Sequence, residues 1–306
     1  MTIPVRITAV SYLNTLPFIY GIEQQAAVSS SAAAQCAAGR SEGRLLAGGD
    51  IVLSLRVPAL CAADAIAGAT DIALVPTAVV PQIPGFSISS VFQSFVSSDR
   101  SSATFTPRII TDYCIGAEGA VDTVVLLSDT PVGEVRRIYL DAHSRTSVQL
   151  VRVLAREYWR IEPEWVSAAS GADNVAPLAA DGGRLGPGEA VLAIGDKVFA
   201  LRAAHRYAYC YDLAQEWNRF TGGLPFVFAA WVACTAAGAE FASTLNEALA
   251  YGVGHIAESI TGTVNRSRDF DHVTAHDYLT RAIKFGLDDR KRAAMRLFWE
   301  KIIAPG

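Results

Sequence analysis

The stretch VRITAVSYLNTLPFIYGI (Val5–Ile22) decides how the chain is read. Its first six residues are apolar or β-branched apart from Arg6, the composition of a short buried strand. Ser11, Tyr12, Asn14 and Thr15 then interrupt the apolar run, and a helix is expected from about Leu16. A strand that turns through polar residues into a helix is the repeating unit of an α/β sheet. It also sets those polar residues at the carboxyl end of a strand beside a helix N-terminus, where open α/β sheets hold their ligands. Two uses compete for the side chains there: contact with an anionic ligand, or capping of free helix N–H groups.

The same alternation continues along the chain. Strands are expected at Ile51–Leu55, Asp71–Val75, Thr123–Leu127, Arg137–Leu140, Ala190–Ile194 and Phe226–Val232. Helical stripes lie between or after them, as in Val148, Val151, Leu154, Ala155 and Tyr158, or Phe241, Leu245, Ala248, Leu249, Gly252 and Ile256. A last helix is expected over Asp288–Ile303, acidic at its start and closed by Lys301. The expected class is α/β with mainly parallel sheets. At 306 residues the chain passes the size at which one core stops growing, so two lobes are expected. The first takes residues 1–112 and 228–306, the second 113–227, with the aromatic strand after Thr221 as the return crossing. Two stretches rich in Ser, Ala and Gly, Ala26–Gly49 and Phe86–Pro107, lack periodicity and are expected as surface excursions.

Composition excludes several function classes. Hydrophobic residues make up 51%, yet no apolar run approaches the roughly 20 residues of a membrane span. The N-terminus lacks the long apolar region of a secretion signal, so a cytoplasmic protein with no membrane partner is expected. A net charge of −4 with dispersed basic residues leaves no footprint for nucleic acid, and a small-molecule substrate is the expected partner. Five cysteines without a CxxC pair argue against a disulfide framework or a zinc site; they are expected as buried small hydrophobes. No Walker A, GxGxxG, HExxH or GxSxG motif is present. His272 and His276, with Asp269, Asp271 and Asp277, read as a polar helix start rather than a metal set, and no metal is expected.

Four further segments carry polar chemistry beside strands. In DYCIGAEGAVDTVVLLSD (Asp112–Asp129), Gly116, Ala117, Glu118 and Gly119 make a small-residue turn whose N–H groups can approach a ligand, and Thr123 adds a hydroxyl. In YLDAHSRTSVQLV (Tyr139–Val151), Ser144 can cap a helix whose first turn presents Arg145, Thr146 and Ser147, a cradle suited to a carboxylate. The alternative is a plain capped helix with Arg145 in solvent. In AIGDKVF (Ala193–Phe199), Gly195 and Asp196 touch a ligand or cap a helix. The run YDLAQEWNRFTGGLPFVFAAWVA (Tyr211–Ala233) sets Trp217, Phe226, Phe228 and Trp231 in the core or along a cleft that would suit a flat ring.

Taken together with DIALVPTAVVPQIP (Asp71–Pro84), these blocks resemble, in the same order, those of the chorismate dehydratase family of the futalosine route to menaquinone. The resemblance covers about four fifths of the chain, outside the two Ser/Ala-rich stretches. It implies a two-lobed fold of the periplasmic-binding-protein type (type II) with the ligand between the lobes. It further implies loss of water from chorismate to give 3-[(1-carboxyvinyl)oxy]benzoate, with no cofactor. Asn14 is then the catalytic candidate, hydrogen-bonding the reacting region while the substrate's own enolpyruvyl carboxylate takes the proton. A solute-binding protein would share the architecture. The related dihydroxynaphthoate synthase of the same pathway has a Cys-Pro-Asn character where this chain has Tyr12, Leu13 and Asn14.

Overall fold

A computed structural model describes residues 4–29, 45–48, 51–92, 105–141, 144–167, 184–195, 197–264 and 272–303. The first elements are β1 (Val5–Val10), α1 (Leu16–Ser29), β2 (Leu45–Gly48), β3 (Ile51–Arg56), α2 (Pro58–Ile66), β4 (Ile72–Pro76) and β5 (Arg108–Ala117). There follow β6 (Val124–Ser128), β7 (Arg137–Leu140), α3 (Arg145–Leu154), β8 (Glu164–Ser167), β9 (Glu189–Ile194), α4 (Lys197–Ala204), β10 (Tyr209–Asp212) and α5 (Leu213–Phe220). The chain ends with β11 (Phe226–Ala233), α6 (Ala236–Glu240), α7 (Ala242–Gly254), α8 (Ile256–Val264), α9 (His272–Asp277), β12 (Lys284–Gly286) and α10 (Asp289–Ile303).

The strands form two sheets, one ordered β12-β5-β11-β4-β1-β3-β2 and the other β10-β6-β9-β7-β8. Both are mixed, which corrects the expectation of mainly parallel sheets: four pairings are parallel and six antiparallel. The parallel pairs are β3-β1-β4, inside the larger sheet, and β9-β7-β8, which runs to one edge of the other. The main cause of the mixture is β11, which returns from the second sheet and inserts antiparallel between β4 and β5. The chain leaves the larger sheet within 118–123 and re-enters it by 226. Lobe boundaries expected after 112 and 227 therefore fall inside β5 and β11.

Strands read from continuous apolar runs are present within a residue or so, because burial on both faces leaves them unambiguous; β4, β6 and most of β9 are buried throughout. The strands not anticipated are β2, β5, β8, β10 and β12. Four of these, β2, β8, β10 and β12, lie at sheet edges, and β12 is only three residues long. β5 is interrupted by Asp112 and Gly116, where a Cβ would stand 3.1 Å from the Phe226 carbonyl and 3.2 Å from that of Lys284.

The two Ser/Ala-rich stretches are also corrected in part. Within the first, α1 runs on to Ser29 and Leu45–Gly48 pairs with β3. Within the second, Phe86 and Phe92 pack on Trp299, and the Ile109 N–H donates to the Val91 carbonyl at 2.8 Å. The rest of both stretches, residues 30–44, 49 and 93–104, lies outside the described residues. Cys61 and Cys114 are buried as expected, whereas Cys210 is exposed on the edge strand β10; Cys36 is outside the described residues. α1 crosses α7 through Gly21 and Gly252. A Cβ on Gly21 would overlap the Ala248 carbonyl and one on Gly252 that of Pro17, so glycine is what lets these helices meet.

Candidate active site

The carboxyl ends of β1, β4 and β9 converge on one pocket, as the topology of an open α/β sheet requires. Val10, Pro76 and Ile194 supply those strand ends, and the first turn of α3 closes the opposite side. The pocket is a cavity of about 80 Å³ that is continuous with open solvent. Leu74, Ile115, Val121, Val124, Phe228 and Ala229 give it apolar walls.

Several expected site residues meet here: Tyr12, Asn14, Thr15, Thr123, Ser144, Arg145, Thr146, Ser147 and Gly195. Their side chains differ in what they have left to offer a ligand. Asn14 sits half-buried in a single 3-10 turn, Leu13–Thr15, and its amide has no hydrogen-bond partner among the described residues. Thr15 is committed: its hydroxyl lies 2.6 Å from the Val10 carbonyl and 2.7 Å from that of Tyr12, holding the turn that presents Asn14. Ser11 points to solvent, its N–H donates to the Arg56 carbonyl at 3.1 Å, and it does not line the pocket.

At α3, Ser144 caps the helix by accepting the Ser147 N–H at 3.1 Å, so its oxygen serves the backbone first. The Thr146 hydroxyl accepts the Ala78 N–H at 3.2 Å and donates to the Phe228 carbonyl at 3.1 Å, which fastens α3 to the larger sheet. Ser147 is left with a hydroxyl that has no partner among the described residues, beside the N–H groups of Arg145 and Thr146, which a first helical turn cannot satisfy internally. The exposed Arg145 guanidinium likewise has no carboxylate partner among the described residues. An unpaired guanidinium, free N–H groups and a hydroxyl on one helical turn suit an anion, above all a carboxylate.

Gly195 has φ +63°, so a side chain there would be strained, and a Cβ would meet the Tyr12 ring at an ordinary contact distance of 3.9 Å. Asp196 lies outside the described residues, as does His143. Below the α3 turn, the fully buried Asp141 accepts from Lys197 Nζ at 3.3 Å.

The expected small-residue turn is not part of the pocket. Gly116 and Ala117 are the last residues of β5, their backbones paired with Val227 and Phe226. Glu118 turns the other way and accepts from Lys291 Nζ at 2.6 Å, while Gly119 faces Gln215. Pairing with β11 keeps the Gly116 and Ala117 backbones within the sheet. The crossing after them is held instead by Asp212, which accepts the Val121 and Asp122 N–H groups at 2.8 and 2.7 Å and caps α5. Burial pushes the Asp212 carboxyl up even against those hydrogen bonds.

Sequence reasoning missed Tyr278, whose hydroxyl is 2.7 Å from Thr123 Oγ1 inside the pocket. No local signal marks it, since it lies in a π-helical turn, Tyr278–Ala282, more than a hundred residues from Thr123. Among the aromatic residues foreseen, Phe228 lines the pocket, while Trp217, Phe226 and Trp231 are core. Thiol chemistry is disfavoured, because burial pushes Cys61 and Cys114 up to about 12. Among the described residues no group of three or more His, Cys, Asp or Glu is placed to hold a metal ion. No helix among them is long and apolar enough to cross a membrane.

Residues 103–303 match the protein-family model described as menaquinone biosynthesis. The chain belongs to that family. The matched span includes β5, the whole second sheet, α3 and Tyr278, hence most of the pocket's polar groups. Among solved structures, the chain is similar to protein AF1704 from Archaeoglobus fulgidus, at 12% identity and TM-score 0.65 over 97% of this chain and 96% of that one. A protein from Bordetella bronchiseptica RB50 gives 12% identity and TM-score 0.62 over 99% and 90%. A Candida albicans gene product, described as defining a family with the generic periplasmic binding protein fold, gives 10% and 0.52 over 99% and 92%. These likenesses establish the fold: two α/β units of the periplasmic-binding-protein type.

Proposed function

We propose that the pocket binds chorismate and eliminates water from it, giving 3-[(1-carboxyvinyl)oxy]benzoate on the cytoplasmic futalosine route to menaquinone. The observation that carries this reading is that Arg145, the first turn of α3 and the Asn14 amide, which has no partner among the described residues, line one largely apolar pocket. Chorismate is a cyclohexadiene with one carboxylate on the ring and a second on its enolpyruvyl ether. One carboxylate suits the α3 turn, and the apolar walls at Phe228 and Ile115 suit the ring. Family membership supports a reaction in menaquinone biosynthesis.

In the elimination the ring C3–H bond breaks, its electron pair forms the new ring double bond, and the C4–O bond breaks with its pair to oxygen. The ring becomes aromatic, which favours the step. The C3 carbanionic charge delocalises into the ring carboxylate, and donors on that carboxylate lower the barrier as charge grows there. Among the described lining residues none is an Asp, Glu, His or Lys. This supports proton removal by the substrate's enolpyruvyl carboxylate, with Asn14 holding the reacting region in place.

Purified protein incubated with chorismate should release a product one water lighter, with the ultraviolet absorption of an aromatic ring. Saturable binding of chorismate with no change in its mass would indicate a solute-binding protein and refute the reading. No binding at all, with turnover of a later pathway intermediate, would point to the dihydroxynaphthoate synthase activity.

A further inference from the structure

Resting on that reading, we propose that Tyr278 is the general acid that protonates the departing ring hydroxyl, with Thr123 holding its oxygen. Expulsion of hydroxide needs a proton donor, and neither Asn14 nor Arg145 is an efficient one, since an amide and a guanidinium hold their protons too tightly. A phenol is a stronger acid than water and a weaker one than a carboxylic acid, which suits it to give a proton to hydroxide and to be recharged afterwards. Tyr12 and Tyr278 are the described lining residues with that chemistry, and of the two it is Tyr278 whose hydroxyl is hydrogen-bonded to Thr123.

Its placement supports the role. The ring is only 7% exposed, and its hydroxyl shares a 2.7 Å hydrogen bond with Thr123 Oγ1. The other acceptor near Thr123 Oγ1, the Val121 carbonyl, is 3.5 Å away, so Tyr278 is the better partner. When Thr123 donates to Tyr278, the tyrosine proton is directed away from it, and the same hydroxyl then stabilises the phenolate left after transfer. Tyr278 also lines an open groove on its far side with Asp122, Asp277, Arg202 and Arg281, which brings solvent close to the ring. The π-helical turn that begins at Tyr278 widens the helix there, a distortion frequent at functional sites.

The step balances. The C3 proton passes to the substrate carboxylate, the C4–O pair leaves on oxygen, and the Tyr278 proton completes water. The protonated carboxyl of the product then gives its proton to solvent, and solvent returns one to the Tyr278 phenolate.

The test compares wild type, Tyr278→Phe and Thr123→Val on chorismate and on an analogue with fluorine in place of the ring hydroxyl, since fluoride leaves without a proton. For Y278F on chorismate, kcat should fall about a hundredfold or more with KM changed by less than about threefold. On the fluoro analogue the loss should be far smaller. Thr123→Val should give a smaller kcat loss of the same pattern. If Y278F melts well below wild type, Thr123→Val carries the comparison. Wild-type kcat in Y278F, a change in KM alone, or an equal loss on both substrates would overturn the assignment while leaving the dehydratase reading intact. A wild-type protein inert toward chorismate would remove both.

Discussion

The Thr146 hydroxyl donates to the Phe228 carbonyl at 3.1 Å while accepting the Ala78 N–H at 3.2 Å, so one side chain at the pocket ties α3 both to β11 and to the 3-10 helix that follows β4. Its neighbour Ser147 makes no such tie among the described residues. Adjacent hydroxyls on one helical turn therefore carry different tasks. Thr146→Ala should lower stability by about 1–3 kcal/mol, since it leaves a buried N–H and carbonyl unsatisfied. Ser147→Ala should leave the melting temperature unchanged and raise KM for chorismate about tenfold. Calorimetry and steady-state kinetics on the two variants would check this; equal melting temperatures would refute the division.

Arg145 should supply charge to the ligand and little to the fold, being exposed and without a carboxylate partner among the described residues. Arg145→Gln should weaken chorismate binding by about 1.5–3 kcal/mol, roughly ten- to hundredfold. Arg145→Lys should recover only part, because lysine lacks the planar fork. Titration calorimetry with the folded variants gives the answer, and unchanged affinity in the glutamine variant would take Arg145 out of the site.

Asn14 should matter to turnover more than to binding. Its turn is held by Thr15, not by its own amide, so Asn14→Ala should keep the fold. Single-turnover rates should fall about a hundredfold, a loss of about 3 kcal/mol in transition-state stabilisation, while chorismate still binds. A lower melting point with wild-type turnover would make Asn14 a turn residue.

Asp71 gives the fold an acid-sensitive clasp. Burial opposes its ionisation, but two Arg6 guanidinium hydrogen bonds at 3.0 Å, the Arg6 N–H at 2.9 Å and the Thr235 hydroxyl at 3.0 Å outweigh it, holding the carboxyl below its usual range. The unfolded chain binds that proton at a higher pH than the folded one. The clasp's stabilisation is thus complete above the unfolded carboxyl's ordinary value and is lost as pH falls through the lower folded one. Arg6→Gln should be less stable than wild type at neutral pH, with the gap closing in acid. Urea unfolding across pH would check it; a gap constant with pH would contradict the linkage.

The sequence by itself determined the α/β class, the principal strands, the start of α3 and the ends of α10. Those signals are local: continuous apolar runs at β4, β6 and β9, a Ser cap at Ser144, and acidic residues opening the last helix. It also singled out Asn14, Arg145 and Ser147, because a polar turn after a strand and a helix start are readable within a few residues. Tertiary structure decided the rest. β5 and β12 gain their backbone partners from strands remote in sequence, so weak local patterns suffice for them. Gly116, Ala117 and Glu118, plausible as a ligand turn in isolation, are consumed by β11 and Lys291. Thr146 and Tyr278 acquire their roles only from Phe228 and Thr123, residues 82 and 155 positions away. A hydroxyl's use depends on which partner reaches it first, and that is settled by long-range packing, which no local window of sequence contains.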